Sequence, residues 1–157
     1  MAIWQFDFYL LPASSVEQRF RAVPVTVSAD EYDRVRWWEG INLRRAIEHD
    51  LSKMLSQGNS WSPAIDMWGT EDGDRVELHD DDGVTEVHGR IDIRNLSLRF
   101  VNLLVEIARR HRLLILTEDR HVLRPSVKEV LAAIHRSRSF AYVSDPEGFL
   151  CKLAESE

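Results

Sequence analysis

Five residues on one short segment carry most of the chemistry this chain could perform. Glu86, His88, Arg90, Asp92 and Arg94 recur at every second position, so a β-strand would set them all on one face. Such a row could act as an acid/base or carboxylate-binding site if a cleft covered it. It could equally be a ladder of ion pairs, each worth about 0.2–1 kcal/mol where exposed. The two readings predict different surroundings for His88.

Other chemistries lack their residues. The six histidines, at 49, 79, 88, 111, 121 and 135, include no HExxH pattern and no i, i+4 pair. His88 and Asp92 would lie roughly 13 Å apart along a strand, too far to share a metal. The run from Leu78 to Gly83 echoes a calcium loop through Asp80, Asp82 and Gly83, but Leu78 and Gly89 occupy the first and twelfth ligand positions, where acids are required. The expected role of Asp80-Asp81-Asp82-Gly83 is therefore a hairpin turn. Cys151, the only cysteine, sits beside Leu150 and Leu153 and reads as a small hydrophobe rather than a nucleophile. There is no Gly-x-Ser-x-Gly elbow, P-loop or GxGxxG. The sequence implies no cofactor and no metal, and no catalysis.

The elements that must position these residues follow from periodicity. Ile3 to Leu11 alternates, with Trp4, Phe6, Phe8 and Leu10 opposite Gln5, Asp7 and Tyr9, and reads as a strand. Residues 13–27 read as irregular, with an edge strand possible at Val23–Val27. Ser28 and Glu31 form a capping box for a helix with Tyr32, Val35 and Trp38 as its stripe. A second helix is expected over 42–55, closed by Gln57-Gly58-Asn59. Ile65 to Trp68 is a short strand, and Arg75–His79 pairs with Val84–Arg94 across an Asp-Gly turn. The longest helix, Ser97 to Arg112, buries Phe100, Val101, Leu103, Leu104, Ile107 and Ala108. A strand at Leu113–Thr117 turns through Glu118-Asp119 into another near Val122. Ser126 with Glu129, and Asp145 before Pro146, open two final helices. Helices scattered among antiparallel hairpins without a βαβ rhythm predict a single α+β domain over 1–157, mainly an antiparallel sheet with helices packed on it.

Charge is segregated. The chain of 157 residues has a formal net charge of −6, yet residues 66–92 hold ten acids against two bases, and residues 94–139 hold ten bases against four acids. Such polarity can steer a charged partner or can be paired internally, the Arg-rich helices covering the acidic hairpin. Arg109, Arg110 and Arg112 fall in a last helical turn, where bases complement the macrodipole. No aromatic residues interleave with them as a nucleic-acid platform would need, so no nucleic acid is expected. No stretch approaches the roughly 20 apolar residues of a membrane span, and the N-terminus lacks a basic leader. These features predict a soluble cytoplasmic protein without a membrane role.

Trp61 and Trp68 flank Ser62-Pro63 just ahead of the acidic hairpin. Aromatics next to carboxylates are a composition suited to gripping a protein partner. The expected partner-binding set is Trp61, Trp68, Asp72, Asp74, Asp80, Asp81 and Asp82, with the acids at two neighbouring turn tips. The stretch from Trp61 to Arg94, through Trp68-Gly69, the Glu-Asp-Gly turn and Arg-Ile-Asp-Ile-Arg, together with 137–146, resembles small single-domain bacterial proteins of unassigned function, broadly of the toxin-immunity type. The resemblance implies a non-catalytic binder, an immunity protein that masks the active site of a basic toxin, and brings no contact residues with it. Carboxylates would then compete for the field that draws phosphate to such a toxin. The alternatives are a small-molecule-binding protein or enzyme using Glu86, His88, Arg90, Asp92 and Arg94, and a homo-oligomer subunit joined through an exposed hairpin edge.

Overall fold

The computed structural model describes residues 2–156. Among these, seven strands form one antiparallel sheet in the order β2-β3-β4-β5-β1-β6-β7. The strands are β1 (Gln5–Pro12), β2 (Gln57–Gly58), β3 (Ile65–Gly69), β4 (Arg75–Asp80), β5 (Val84–Asp92), β6 (Leu113–Thr117) and β7 (Val122–Leu123). The helices are α1 (Ala13–Phe20), α2 (Ala29–Arg34), α3 (Arg44–Ser52), α4 (Leu98–Arg110), α5 (Val127–His135), α6 (Arg138–Ser144) and α7 (Pro146–Glu155). The α+β expectation holds.

Register fixes what each sheet face carries. Phe6 pairs with Ile91, Phe8 with Gly89 and Leu10 with Val87, while Val76 and Leu78 of β4 sit opposite Gly89 and Val87. These residues line one apolar face, which merges with the buried stripes of α3, α4 and α5 in one core that includes Ile47, Leu51, Phe100, Leu104, Val130 and Ile134. Gly89 is needed there because the ring of Phe8 lies across it: a Cβ at this position would meet Phe8 Cζ at 2.0 Å.

The opposite face is mixed. Leu11, Leu114 and Leu116 are buried on it toward β6. Toward β4 it carries Asp7, Tyr9, Glu77, His88 and Arg90, because Asp7 pairs with Arg90, Tyr9 with His88 and Glu77 with His88. Tyr32 of α2 reaches over this face, its ring tilted against that of Tyr9 at 5.2 Å between centroids. Trp37 continues the stack to Phe20 of α1.

Several helix signals act as read. Ser28, Ser97 and Ser126 accept from the N–H groups of Glu31, Phe100 and Glu129, and Asp145 accepts from Gly148. Three expectations need correction. Residues 13–20, read as irregular, form α1, in which Val16 is fully buried and Phe20 packs against the core one turn later. Gln57-Gly58, read as a helix stop, adds the edge strand β2 opposite Met67 and Trp68. The stripe Tyr32, Val35, Trp38 outlasts its helix: α2 ends at Arg34, Val35 is extended, and Trp38 reaches the core from the following turn.

Candidate functional site

The two acidic turns of the hairpin region lie at opposite ends of β4. That strand leads from the turn at 70–74 to the turn at 80–83, and its six residues span about 20 Å. The expectation of two neighbouring tips is therefore wrong, and the proposed partner-binding residues divide into two groups.

At the 70–74 end Asp74 is tied into the fold. Asp74 Oδ1 accepts the backbone N–H of Asp92 (2.9 Å), and burial raises the Asp74 pKa. Asp92 in turn accepts from the N–H and Nε of Arg94, at 3.0 and 2.9 Å. Arg94 also donates to the carbonyl of Asp72 (2.9 Å) and lies over the Trp4 ring at 4.4 Å. The Asp72 side chain is exposed, but its backbone belongs to this knot. Asp74 is thus corrected from a partner contact to a residue that joins the β3–β4 turn to the end of β5.

Trp68 is corrected as well. Alternation along β3 pairs it with Val76 on the apolar face, and it is only 9% exposed. It cannot anchor an external partner.

At the 80–83 end the arrangement differs. Asp80 is gripped by Arg44 of α3, which also bridges to Asp66 and to Glu48. Asp80 Oδ1 accepts the N–H of Gly83 (2.9 Å), and Asp81 donates to the carbonyl of Gly83 (3.0 Å). Asp82 takes a left-handed φ of 54° to close the turn. Asp80 is therefore an internal strut, a correction to its role as a partner contact. It presents Asp81 and Asp82, both exposed and outside any ion pair among the described residues. Trp61 belongs to this end too: three residues on, the carbonyl of Ala64 receives the N–H of Asp80 (2.8 Å). Its indole is 82% exposed. Of the seven expected residues, Trp61, Asp81 and Asp82 are exposed at this end of the sheet and Asp72 at the other.

The charged strand face is a paired network. His88 Nε2 lies 3.2 Å from Asp7 Oδ1, and His88 Nδ1 lies 3.7 Å from Glu77 Oε2. Arg90 donates to the same Asp7 oxygen at 3.0 Å, Arg75 pairs with Glu77 at 3.0 Å, and His79 lies 3.3 Å from Glu77. Glu86, on the same face of β5, accepts the Tyr32 hydroxyl (2.7 Å). Burial, followed by the Glu86 charge, drives the Tyr32 pKa far up. The neighbouring His79 and His88 push Glu77 far below the carboxylate range. Burial opposes the imidazolium of His88, but the carboxylates of Asp7 and Glu77 outweigh it and raise its pKa. Asp7 is 2% exposed and its Oδ2 has no partner among the described residues. Sequence reasoning left Asp7, Glu77 and Tyr32 out of this cluster. Asp7 was legible as a polar residue on the first strand's polar side, but its pairing with Arg90 depends on register.

The expected ligand face is thus divided. Glu86, His88 and Arg90 surround the buried cluster, whereas Asp92 and Arg94 belong to the knot at the 70–74 end. The groove of about 830 Å³ beside the hairpin tip is lined by residues 35–42 and 81–85, none of them from the charged row. Among the described residues no three His, Cys, Asp or Glu side chains are placed to hold a metal ion, and no helix is long and apolar enough to cross a membrane. No family model, curated protein or solved structure gives a significant match to the chain.

Proposed function

We propose that the protein is a non-catalytic binding protein that captures a basic protein partner at the hairpin-tip end of its sheet. The observation that carries this reading is the Trp61 indole, 82% exposed, at the same end as the unpaired Asp81 and Asp82. Tryptophan left in water gains most when a partner desolvates it, which is why it recurs at binding hot spots. Two carboxylates at the same end of the sheet speed encounter with a positive surface and discourage wrong partners. The resemblance to toxin-immunity proteins supplies the partner's class, a basic toxin whose active site would be masked.

The test is affinity capture from the native host lysate at low and high salt, using wild type, Trp61→Ala and a D81N/D82N variant. One stoichiometric basic partner, lost at high salt and by either variant, is the expected result. A partner retained in full by Trp61→Ala would overturn the reading.

A further inference from the structure

The hairpin tip forms one wall of a groove whose opposite wall is the segment from Val35 to Asn42. At about 830 Å³ it falls within the ~300–1,000 Å³ of ordinary ligand sites and is larger than one side chain needs. Its lining has two characters. Trp38 and Val84 are buried residues of the core, and Val35 and Ile41 are half-buried beside them. Asp81, Asp82, Glu39 and Arg36 are all exposed, three acids against one base. None of these four enters an ion pair among the described residues. This contrasts with Asp66 and Asp80 one step away, both held by Arg44.

The acidic wall is also preorganised. Arg44 fixes Asp80, Asp80 fixes the Gly83 amide, and Thr85 Oγ1 donates to the carbonyl of His79 (3.2 Å). The turn that carries Asp81 and Asp82 is therefore braced from both sides, which lowers the ordering cost of binding.

We propose that this groove receives an extended segment of the protein partner in which a lysine or arginine stands next to an apolar side chain. The inference rests on the partner-binding function above and gives that partner its local chemistry. Apolar side chains of the segment cover Val35 and Ile41, and the basic side chain lays its aliphatic stem on the same surface while its head meets Asp81 and Asp82. Charge complementarity selects this occupant: an acidic segment would face three carboxylates, and a purely apolar one would leave them beside unpaired groups.

The probe is the capped peptide acetyl-Leu-Lys-Leu-Lys-amide, titrated into the ¹⁵N-labelled full chain. Amide shifts are expected at Gly40, Asn42, Gly83 and Thr85, with the dissociation constant at least tenfold weaker for D81N/D82N. Thr85→Arg, which places a cation inside the groove from an exposed position, should weaken it equally. The same peptide with glutamate for lysine should shift none of these amides; because this control uses the wild-type chain, it stands even if a variant misfolds. Equal binding of the glutamate peptide, or shifts confined to other regions, would overturn the groove proposal. Spermidine that reproduces the shifts at equal affinity would assign the groove to a polyamine and overturn it also. If the peptide fails while Trp61→Ala still abolishes partner capture, the groove proposal alone falls. If the peptide binds as expected while Trp61→Ala captures normally, the partner reading at Trp61 is what falls.

Discussion

Replacing His88 with leucine separates the two meanings of the charged strand face. The imidazole is 9% exposed, stacks on Tyr9 at 4.7 Å, and stands between Asp7 and Glu77 on the flanking strands. Leucine keeps much of the volume and removes both the donor and the charge. Asp7 then retains Arg90, and Glu77 retains Arg75 and His79, so neither carboxylate is abandoned. The loss is one hydrogen bond to a charged group, about 1.5–3 kcal/mol, rather than the ~3–5 kcal/mol of a fully orphaned buried charge. For a chain of 157 residues, ~2 kcal/mol lowers the melting temperature by roughly 4–8 °C.

The dependence on pH is the sharper signature. His88 has a folded pKa raised above its ordinary value, so its charge contributes fully below about pH 6.5, where the unfolded group is also protonated. The contribution is lost as pH rises through the folded value. Urea melts of wild type and His88→Leu at pH 5.5 and pH 9 should therefore differ by ~2–3 kcal/mol at the lower pH, where the bond is charge-assisted, and by ~1 kcal/mol at the higher. Lost stacking on Tyr9 adds equally at both. A gap that is constant, or wider at pH 9, would refute the assignment of His88 as a positive group between two carboxylates. A variant more stable than wild type would mean that the network persists at a cost to stability, and the row from Glu86 to Arg94 would return as a ligand face.

Two further outcomes follow from the placement of side chains on the sheet. Trp61→Ala should change unfolding free energy by no more than ~0.5 kcal/mol, as for an exposed site, whereas Trp68→Ala should cost ~3–5 kcal/mol as a buried aromatic truncation; similar losses in chemical denaturation would contradict their opposite placements. Gly89→Ala forces its methyl group into the Phe8 ring and should destabilise by ~1–3 kcal/mol through overpacking, with the double change Gly89→Ala and Phe8→Leu recovering part of the loss; calorimetry of both variants and of Phe8→Leu alone checks this.

The sequence disclosed what depends on neighbours in the chain. The caps at Ser28, Ser97, Ser126 and Asp145 need only a side chain and an amide a few residues on, so residue type was enough. The Asp-Gly turn paired β4 with β5 for the same reason. Helix α1 was hidden because Pro12 precedes it and its Ser14-Ser15 pair looks like loop; the signal was Val16 with Phe20 at helical spacing. Trp68 was misplaced because β3 is five residues long, too short for alternation to declare its inner face. The separation of the two acidic turns could have been read directly. An antiparallel hairpin puts consecutive turns at opposite ends of the strand between them. Only the buried cluster was beyond reach, since Asp7 and Arg90 meet through a register between strands more than eighty positions apart.

That cluster also decides how much of the chain's charge a partner can feel. Internal pairing with the Arg-rich helices, one reading of the segregated charge, is not how the acids are met. Asp66 and Asp80 are held by Arg44, Glu77 by Arg75, and Asp92 by Arg94. Of the bases ending α4, Arg110 and His111 go to Asp50, and Arg109 donates to the Pro125 carbonyl. Pairing removes the long-range part of each joined charge. The two acidic turns, about 20 Å apart along β4, are separated by more than the ~8 Å screening length of physiological salt. A partner therefore meets them one at a time. The 70–74 turn offers the exposed Glu71 and Asp72 with no exposed tryptophan, and the 80–83 turn offers two free carboxylates, a groove and Trp61. Free carboxylates remain at both turns, and at the 80–83 end that short-range field lies where apolar surface is also waiting to be covered.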